Sequence, residues 1–299
     1  MKQPRRGLLL LLCGLLVWFL AESRLLRAWA VEALSLCAAS VVPALFPFLS
    51  VSSLLISLGF GEWVAPHLAG LMTPLFRLPG CASSALLLGL VGGYPVGART
   101  AAGLYSQGLL TKEEAERLLA FCSNSNPVFL ITVLGQGVFG SFRAGLWLWL
   151  IHVLSALLAG LMFRGGGGRR GKAPEAVCCK AVSLPGAFVA AVRESAAAMV
   201  SVCGFVVFFY VLSRPLASLV GPWGAAAVGA LELFSLTPLL RPDRAGFLLA
   251  AACTGFGGLS VLCQTAVVTE GLSLKYHLRG KAAQGALSAL LAALVWPML

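Results

Sequence analysis

Apolar stretches of about the 20 residues a helix needs to cross a bilayer recur along this chain, and the most informative of them are interrupted. Within Leu86 to Phe139, two apolar runs break at GGYPVG (Gly92 to Gly97) and at SNSNP (Ser123 to Pro127). Backbone groups in lipid must be paired, so a break at bilayer depth survives only where protein covers it or where it lines a cavity. Each break also restarts a helix. Pro95 and Pro127 suit a first helical position, which needs no amide partner, and Asn126 suits a cap for the free amides behind it. Restarted half-helices of this kind form the substrate sites of many transporters.

Taken from the amino end, Leu8 to Ala21 reads as a first span behind a basic start, and is expected to stay uncleaved because everything downstream is membrane. Ala28 to Ser40 is helix-compatible, and Val41 to Leu58 reads as a second span kinked by Pro43 and Pro47. Glu62 to Arg77 mixes Trp63, His67, Met72 and Phe76 with charges, the pattern of an interfacial helix. Cys81 to Ser106 has GGYPVG at its centre and reads as a re-entrant hairpin. Thr111 caps KEEAERLL with the Glu114 spacing of a capping box, and that helix breaks at SNSNP and resumes to Phe139. Ser141 to Phe163 is an uninterrupted span.

Arg164 to Lys180, basic and containing GGGG, reads as a linker, and the plan then repeats. Pro185 to Glu194 is a short amphipathic lead into a span, Ser195 to Ser213. Trp223 to Leu240, interrupted at GALELFSLTP, is the second hairpin; Ala245 to Thr269 breaks at TGFGGLS; and a basic turn, Lys275 to Lys281, precedes the last span, Ala282 to Trp296. The expected fold is an all-α polytopic membrane protein with about six full spans, two re-entrant hairpins and two broken helices. One membrane domain fills residues 1–299: a first half over 1–163, a cytoplasmic linker over 164–180 and a second half over 181–299. With the amino terminus inside, the linker and the Lys275 turn fall on that same side, as the positive-inside rule requires, and the carboxyl terminus falls outside. The two hairpins then enter from opposite faces, so the halves are inverted copies, the arrangement of alternating-access transporters.

Composition supports a bilayer setting. The apolar set reaches 59% of 299 residues without counting glycine, and charged residues are only 11%, against about 45–50% apolar with glycine included in a soluble domain. The net charge of +11 sits singly or in loops flanking apolar runs, which fits topology signals and offers no face to a nucleic acid. The nine cysteines show no CxxC pairing and read as small buried hydrophobes, and the three histidines (His67, His152, His277) are too scattered for a zinc motif. With no P-loop, nucleophile elbow or HExxH, the sequence gives no ground for an enzyme, an ATP-driven pump or a bound cofactor.

LFPFLSVSSLL, GLVGGYPVGART, GLLTKEEAERLLAFCSNSNPVFL and TGFGGLSV resemble the YlbJ-type sporulation integral membrane proteins, which carry the nucleoside-recognition Gate domain. The resemblance runs from about Val41 to the carboxyl end. It implies a protein of endospore formers that acts in dipicolinate movement from mother cell to forespore, at the outer forespore membrane. More distantly, the order hairpin, broken helix, hairpin, broken helix is similar to the concentrative nucleoside transporters. That likeness implies hairpin tips at Gly93 to Val96 and Glu232 to Ser235, and broken helices at Asn124 to Pro127 and Gly255 to Ser260. The first tip here lacks the carboxylate those carriers have.

The candidate substrate-binding residues are therefore Gly93, Tyr94, Pro95, Val96, Arg99, Asn124, Ser125, Asn126, Glu232, Ser235, Gly257, Gly258 and Ser260. The glycines serve either a cavity or close helix packing. Arg99 either snorkels to the surface or points into the substrate path. Glu232, alone among the acids in a wholly apolar flank, is expected to be protonated or paired. Coupling by a proton, coupling by sodium and a hydrogen bond to substrate all stay open for it. Helix restarts at three of the breaks aim positive dipole ends inward, so the expected partner is a small anion, besides the lipid bilayer. The alternatives are a nucleoside substrate, or a non-transporting Gate-fold scaffold that assembles with a second copy of itself or with other sporulation membrane proteins.

Overall fold

The computed structural model describes residues 4–165 and 183–299, so most of the expected linker lies outside the described residues. Every regular element among the described residues is helical, because only a helix pairs the backbone of a lone apolar segment within itself. Helix α1 (Pro4–Ala21) and helix α2 (Ser23–Leu36) are sharply bent apart, by 92° between Gly7–Ala21 and Ser23–Val41. α2 passes through a π-turn at Cys37–Val41 into α3 (Val42–Ser57). The helix that carries the expected second span thus begins near Ser23 rather than at Val41, and Pro43 directly follows the π-turn, a ladder irregularity of the kind that accommodates a proline. α4 (Phe60–Phe76) follows and ends on Arg77 in the left-handed conformation, φ 52°.

α5 (Ala82–Gly92) and α6 (Val96–Ser106) form the first hairpin, packed side by side about a tip at Gly93 to Pro95. α7 (Lys112–Leu118) starts with the expected capping box: the Glu114 amide donates to Thr111 Oγ1 at 3.3 Å, and the Thr111 amide donates to Glu114 Oε2 at 2.8 Å. After Ser123 to Asn126 the chain resumes as a π-helix over Phe129–Val138, then α8 (Phe142–Met162). α9 (Leu184–Leu219) is a single helix of 36 residues. The amphipathic lead and the span expected after it are one rod, about 54 Å long at 1.5 Å per residue. α10 (Gly224–Leu231) and the one-turn α11 (Leu233–Leu236) flank an extended Glu232. α12 (Arg244–Phe256) and α13 (Gly258–Val268) meet at Gly257, and α14 (Lys275–Val295) absorbs the basic turn into its own first turns.

By length and composition, Phe142–Met162, Leu184–Leu216 and Arg244–Val268 can each cross a membrane, and Gly7–Ala21 with Ser23–Val41 adds a fourth candidate as a bent pair. About six were expected. The shortfall has a physical cause: Leu45–Ser57, Ala82–Gly92 and Phe129–Val138 are apolar but short, and α14 carries Lys281, Gln284 and Ser288 inside its buried face.

Long-range bonds sort the connections into two ends. At one, Arg117 donates to Arg164 O at 2.7 Å and to Arg77 O at 3.2 Å, Arg77 donates to Gly165 O at 2.7 Å, and the Ser273 amide donates to Glu116 at 2.8 Å. At the other, Arg143 donates to Met298 O at 2.8 Å, and the Phe247 ring packs between Phe139 (5.5 Å) and Trp296 (5.6 Å). The first hairpin opens toward the first end, where Cys81 Sγ approaches Leu109 O at 3.7 Å. The second continues into α12 at the other.

Candidate functional site

The four interruptions meet in the middle of the bundle, and each is fixed by the next. The first hairpin grips the first broken helix through two glycines. A Cβ on Gly89 or on Gly97 would stand 1.8 or 1.9 Å from the Cys122 carbonyl oxygen, so no larger residue fits. The tip then reaches both broken helices. A Cβ on Gly93 (φ +83°) would lie 3.0 Å from the Asn126 Cβ, and Tyr94 donates to Thr254 O at 2.9 Å, just before the second break. Gly257 and Gly258 take positive φ, 86° and 82°, a region glycine occupies without Cβ strain. Gly257 abuts the Tyr94 hydroxyl, and Gly258 abuts the Gly229 and Leu231 carbonyls of the second hairpin. Phe129 and Phe234 close the ring edge to face at 4.7 Å.

Between them lies a cavity of about 30 Å³, lined by Tyr94, Ser125, Asn126, Glu232 and Gln264 among apolar neighbours. That is about the volume share of one water. Asn126 Oδ1 caps the restarted helix by accepting from the Phe129 amide at 2.7 Å, while its Nδ2, buried, has no partner. Glu232 is 2% exposed and accepts from Ser235 twice, from the amide at 2.5 Å and from Oγ at 2.7 Å. Gln264 donates to Ser260 Oγ at 3.2 Å. A larger groove of about 800 Å³ runs between the α1–α3 segment and α9, but Phe19, Phe46, Met199 and Phe208 typify its wholly apolar lining. It offers no polar group to orient a solute.

Behind the first break lies a polar network the sequence reading passed over. Lys281, 2% exposed, donates to Ser123 O at 2.8 Å and to Gln284 Oε1 at 2.7 Å, and its Nζ stands 5.0 Å from the centroid of the Tyr94 ring. Gln284 in turn donates to Asn124 Oδ1 at 3.1 Å. The Ser125 amide donates to His152 Nε2 at 3.0 Å, so the ring proton belongs on Nδ1, which is buried without a partner. Ser155 and Ser288 hydroxyls meet at 2.8 Å and join α8 to α14. Among the described residues, ion pairs form only at Arg99–Glu194 and Arg214–Glu32. No carboxylate among them neutralises Lys281.

Of the residues singled out in the sequence, Gly93, Tyr94, Ser125, Asn126, Glu232, Gly257 and Gly258 are brought together here, with Ser235 and Ser260 one bond behind. Pro95 is the residue before α6 rather than its first. Val96 packs into the cluster of Leu49, Leu88 and Met199 and does not itself line the cavity. Asn124 turns from the cavity to Gln284 and the Phe121 carbonyl. Arg99 points elsewhere, to a half-exposed ion pair with Glu194 at 2.5 Å. The missed signal was spacing: Lys281, Gln284 and Ser288 fall at i, i+3 and i+7, one face of a helix, as do His152 and Ser155 at i and i+3.

Residues 38–143 match the Gate family, described as nucleoside recognition. The chain is also 29% identical, over 86% of its length and 74% of the relative's, to the sporulation integral membrane protein YlbJ of Bacillus subtilis strain 168. No solved structure matches it. The resemblance read from the sequence is thus borne out, and with its several apolar helices the chain is a multi-pass membrane protein. The Gate match covers the first hairpin and the first break, and ends in the first turn of α8. Glu232, His152, Lys281 and Gln284 therefore meet it from outside.

Proposed function

We propose that this chain carries or facilitates a small anionic solute across a membrane, with dipicolinate moving from mother cell to forespore as the substrate. The observation that carries this reading is the meeting of four interrupted elements around a small cavity whose mainly apolar wall carries Tyr94, Ser125, Asn126, Glu232 and Gln264, with the Asn126 amide unpartnered among the described residues. Unpaired donors buried at membrane depth are costly unless a ligand answers them. Two hairpins that open toward opposite ends of the bundle support an inverted repeat with alternating access and about six crossings in all. Positive-inside bias puts the Arg117–Arg164–Ser273 end in the cytoplasm. The likeness to a sporulation integral membrane protein supports a membrane of the sporulating cell, and the outer forespore membrane is the one proposed.

Two other readings rest on specific observations. The Gate description favours a nucleoside as the solute, and the tight tips, enclosing only about 30 Å³, favour a scaffold that moves nothing. Thermal unfolding of the purified full chain separates the three, because a ligand bound only by the folded state raises the melting temperature. Pyridine-2,6-dicarboxylate is expected to raise it and uridine to leave it unchanged. Stabilisation by uridine alone points to a nucleoside site, and stabilisation by neither supports the scaffold.

A further inference from the structure

Lys281 is an amine buried among helices, and its surroundings are one-sided. Its hydrogen bonds go to a carbonyl and an amide oxygen, and no acid stands against it among the described residues. An uncompensated charge in a membrane core is costly, so a lysine kept there without a counter-charge calls for another partner. Its Nζ also stands over the Tyr94 ring, 5.0 Å from the centroid. Tyr94 also lines the central cavity. The ring therefore touches both the cavity and the lysine. It is held by one visible bond, from its hydroxyl to Thr254 O, across the junction between the first hairpin and the second broken helix.

We propose that Lys281 is the group that binds the anionic end of the solute, exposed to the central cavity when the first hairpin tip withdraws Tyr94. This rests on the reading of the chain as an anion carrier. The chemistry around the opened space is consistent: the orphaned Asn126 Nδ2 on the break and His152 Nδ1, on the α8 ring that holds the break through Nε2, are further donors, and Glu232, the acid on the cavity wall, is already engaged by Ser235. The ligand class is a small carboxylate with more acceptors than donors. Withdrawal of Tyr94 enlarges the site toward Lys281, and its return seals the bound anion off, so one side chain serves as gate and as wall.

The test is saturable uptake of labelled pyridine-2,6-dicarboxylate by the full chain reconstituted in vesicles, compared for the wild type, Lys281→Met and Lys281→Gln. Methionine matches the length without charge, and glutamine retains polar contact with Ser123 and Gln284. Either variant, inserted at wild-type abundance, is expected to raise the KM for the dicarboxylate about tenfold or more, the loss of a charge-assisted hydrogen bond. An unchanged KM in an inserted variant overturns the role of Lys281 while leaving the carrier reading intact. Failure of both variants to insert assigns the residue to folding and also overturns it. A wild-type chain that takes up no dicarboxylate refutes the carrier reading itself.

Discussion

Gln284 on the last helix donates to the Asn124 side chain at 3.1 Å, a bond that spans 160 residues of sequence and ties α14 to the first break. The same amide accepts from Lys281 through its oxygen. One side chain thus satisfies a buried amine and a buried amide at once. Gln284→Ala leaves both short of a partner. A loss of about 1–3 kcal/mol of stability is expected, read as a fall in melting temperature in detergent. An unchanged melting temperature means that the network contributes nothing to the fold.

The glycine grip on Cys122 makes a sharper structural prediction. Gly97→Ala forces a Cβ to within 1.9 Å of a backbone oxygen, whereas Gly103, on the same helix, has nothing within 4 Å. Gly97→Ala is expected to cost about 1–3 kcal/mol or more as the hairpin shifts off the broken helix, and Gly103→Ala to be neutral or to stabilise by about 0.5–1 kcal/mol. Melting temperatures of the two variants measured side by side decide it. Equal values count against the packing described.

Much of this site was legible in the sequence. Gly, Pro, Ser and Asn interrupting apolar runs have few uses in a membrane, so the breaks at Gly93, Asn126, Glu232 and Gly257 could be placed from the residue types alone, and the Thr111 capping box from spacing. Lys281 was not legible by the same means. It follows His277 and Arg279, and charge near the start of a helix reads as a surface turn until one face of the helix is seen to be buried from His277 on. The fusion of the lead segment and span into α9 was hidden because Glu194 interrupts the apolar run, yet as a charge paired with Arg99 it does not interrupt the helix.

The cavity wall sets Asn126 near Glu232, and their roles separate by substitution. Asn126→Asp and Asn126→Ser both keep an acceptor for the Phe129 amide, so both are expected to fold. The Asp variant replaces a donor by a negative oxygen and is expected to lose anion uptake, whereas the Ser variant is mild. Glu232→Gln retains the acceptor for Ser235 and is expected to stay abundant while changing the rate or the pH profile of uptake. Glu232→Ala loses the cap and about 0.5–2 kcal/mol. Equal uptake by the Asn126 variants, with a wild-type profile for Glu232→Gln, shows that neither side chain meets the solute.

Sidedness follows from the bonds at the two ends. An epitope inserted at Gly271, in the loop whose Ser273 amide donates to Glu116, is expected to be hidden from antibody outside intact cells. One placed after Leu299, beside the Arg143–Met298 bond, is expected to be reached. Both tags on one side would break the inverted arrangement of the hairpins.

The central claim, that the four breaks form a path for a small anion, is tested most directly by uptake of labelled pyridine-2,6-dicarboxylate into vesicles holding the purified chain, with empty vesicles as the reference. Saturable uptake is expected, which unlabelled dicarboxylate competes away and which neither uridine nor an uncharged pyridine reduces. Uptake no faster than in empty vesicles, or uptake displaced by uridine, contradicts it.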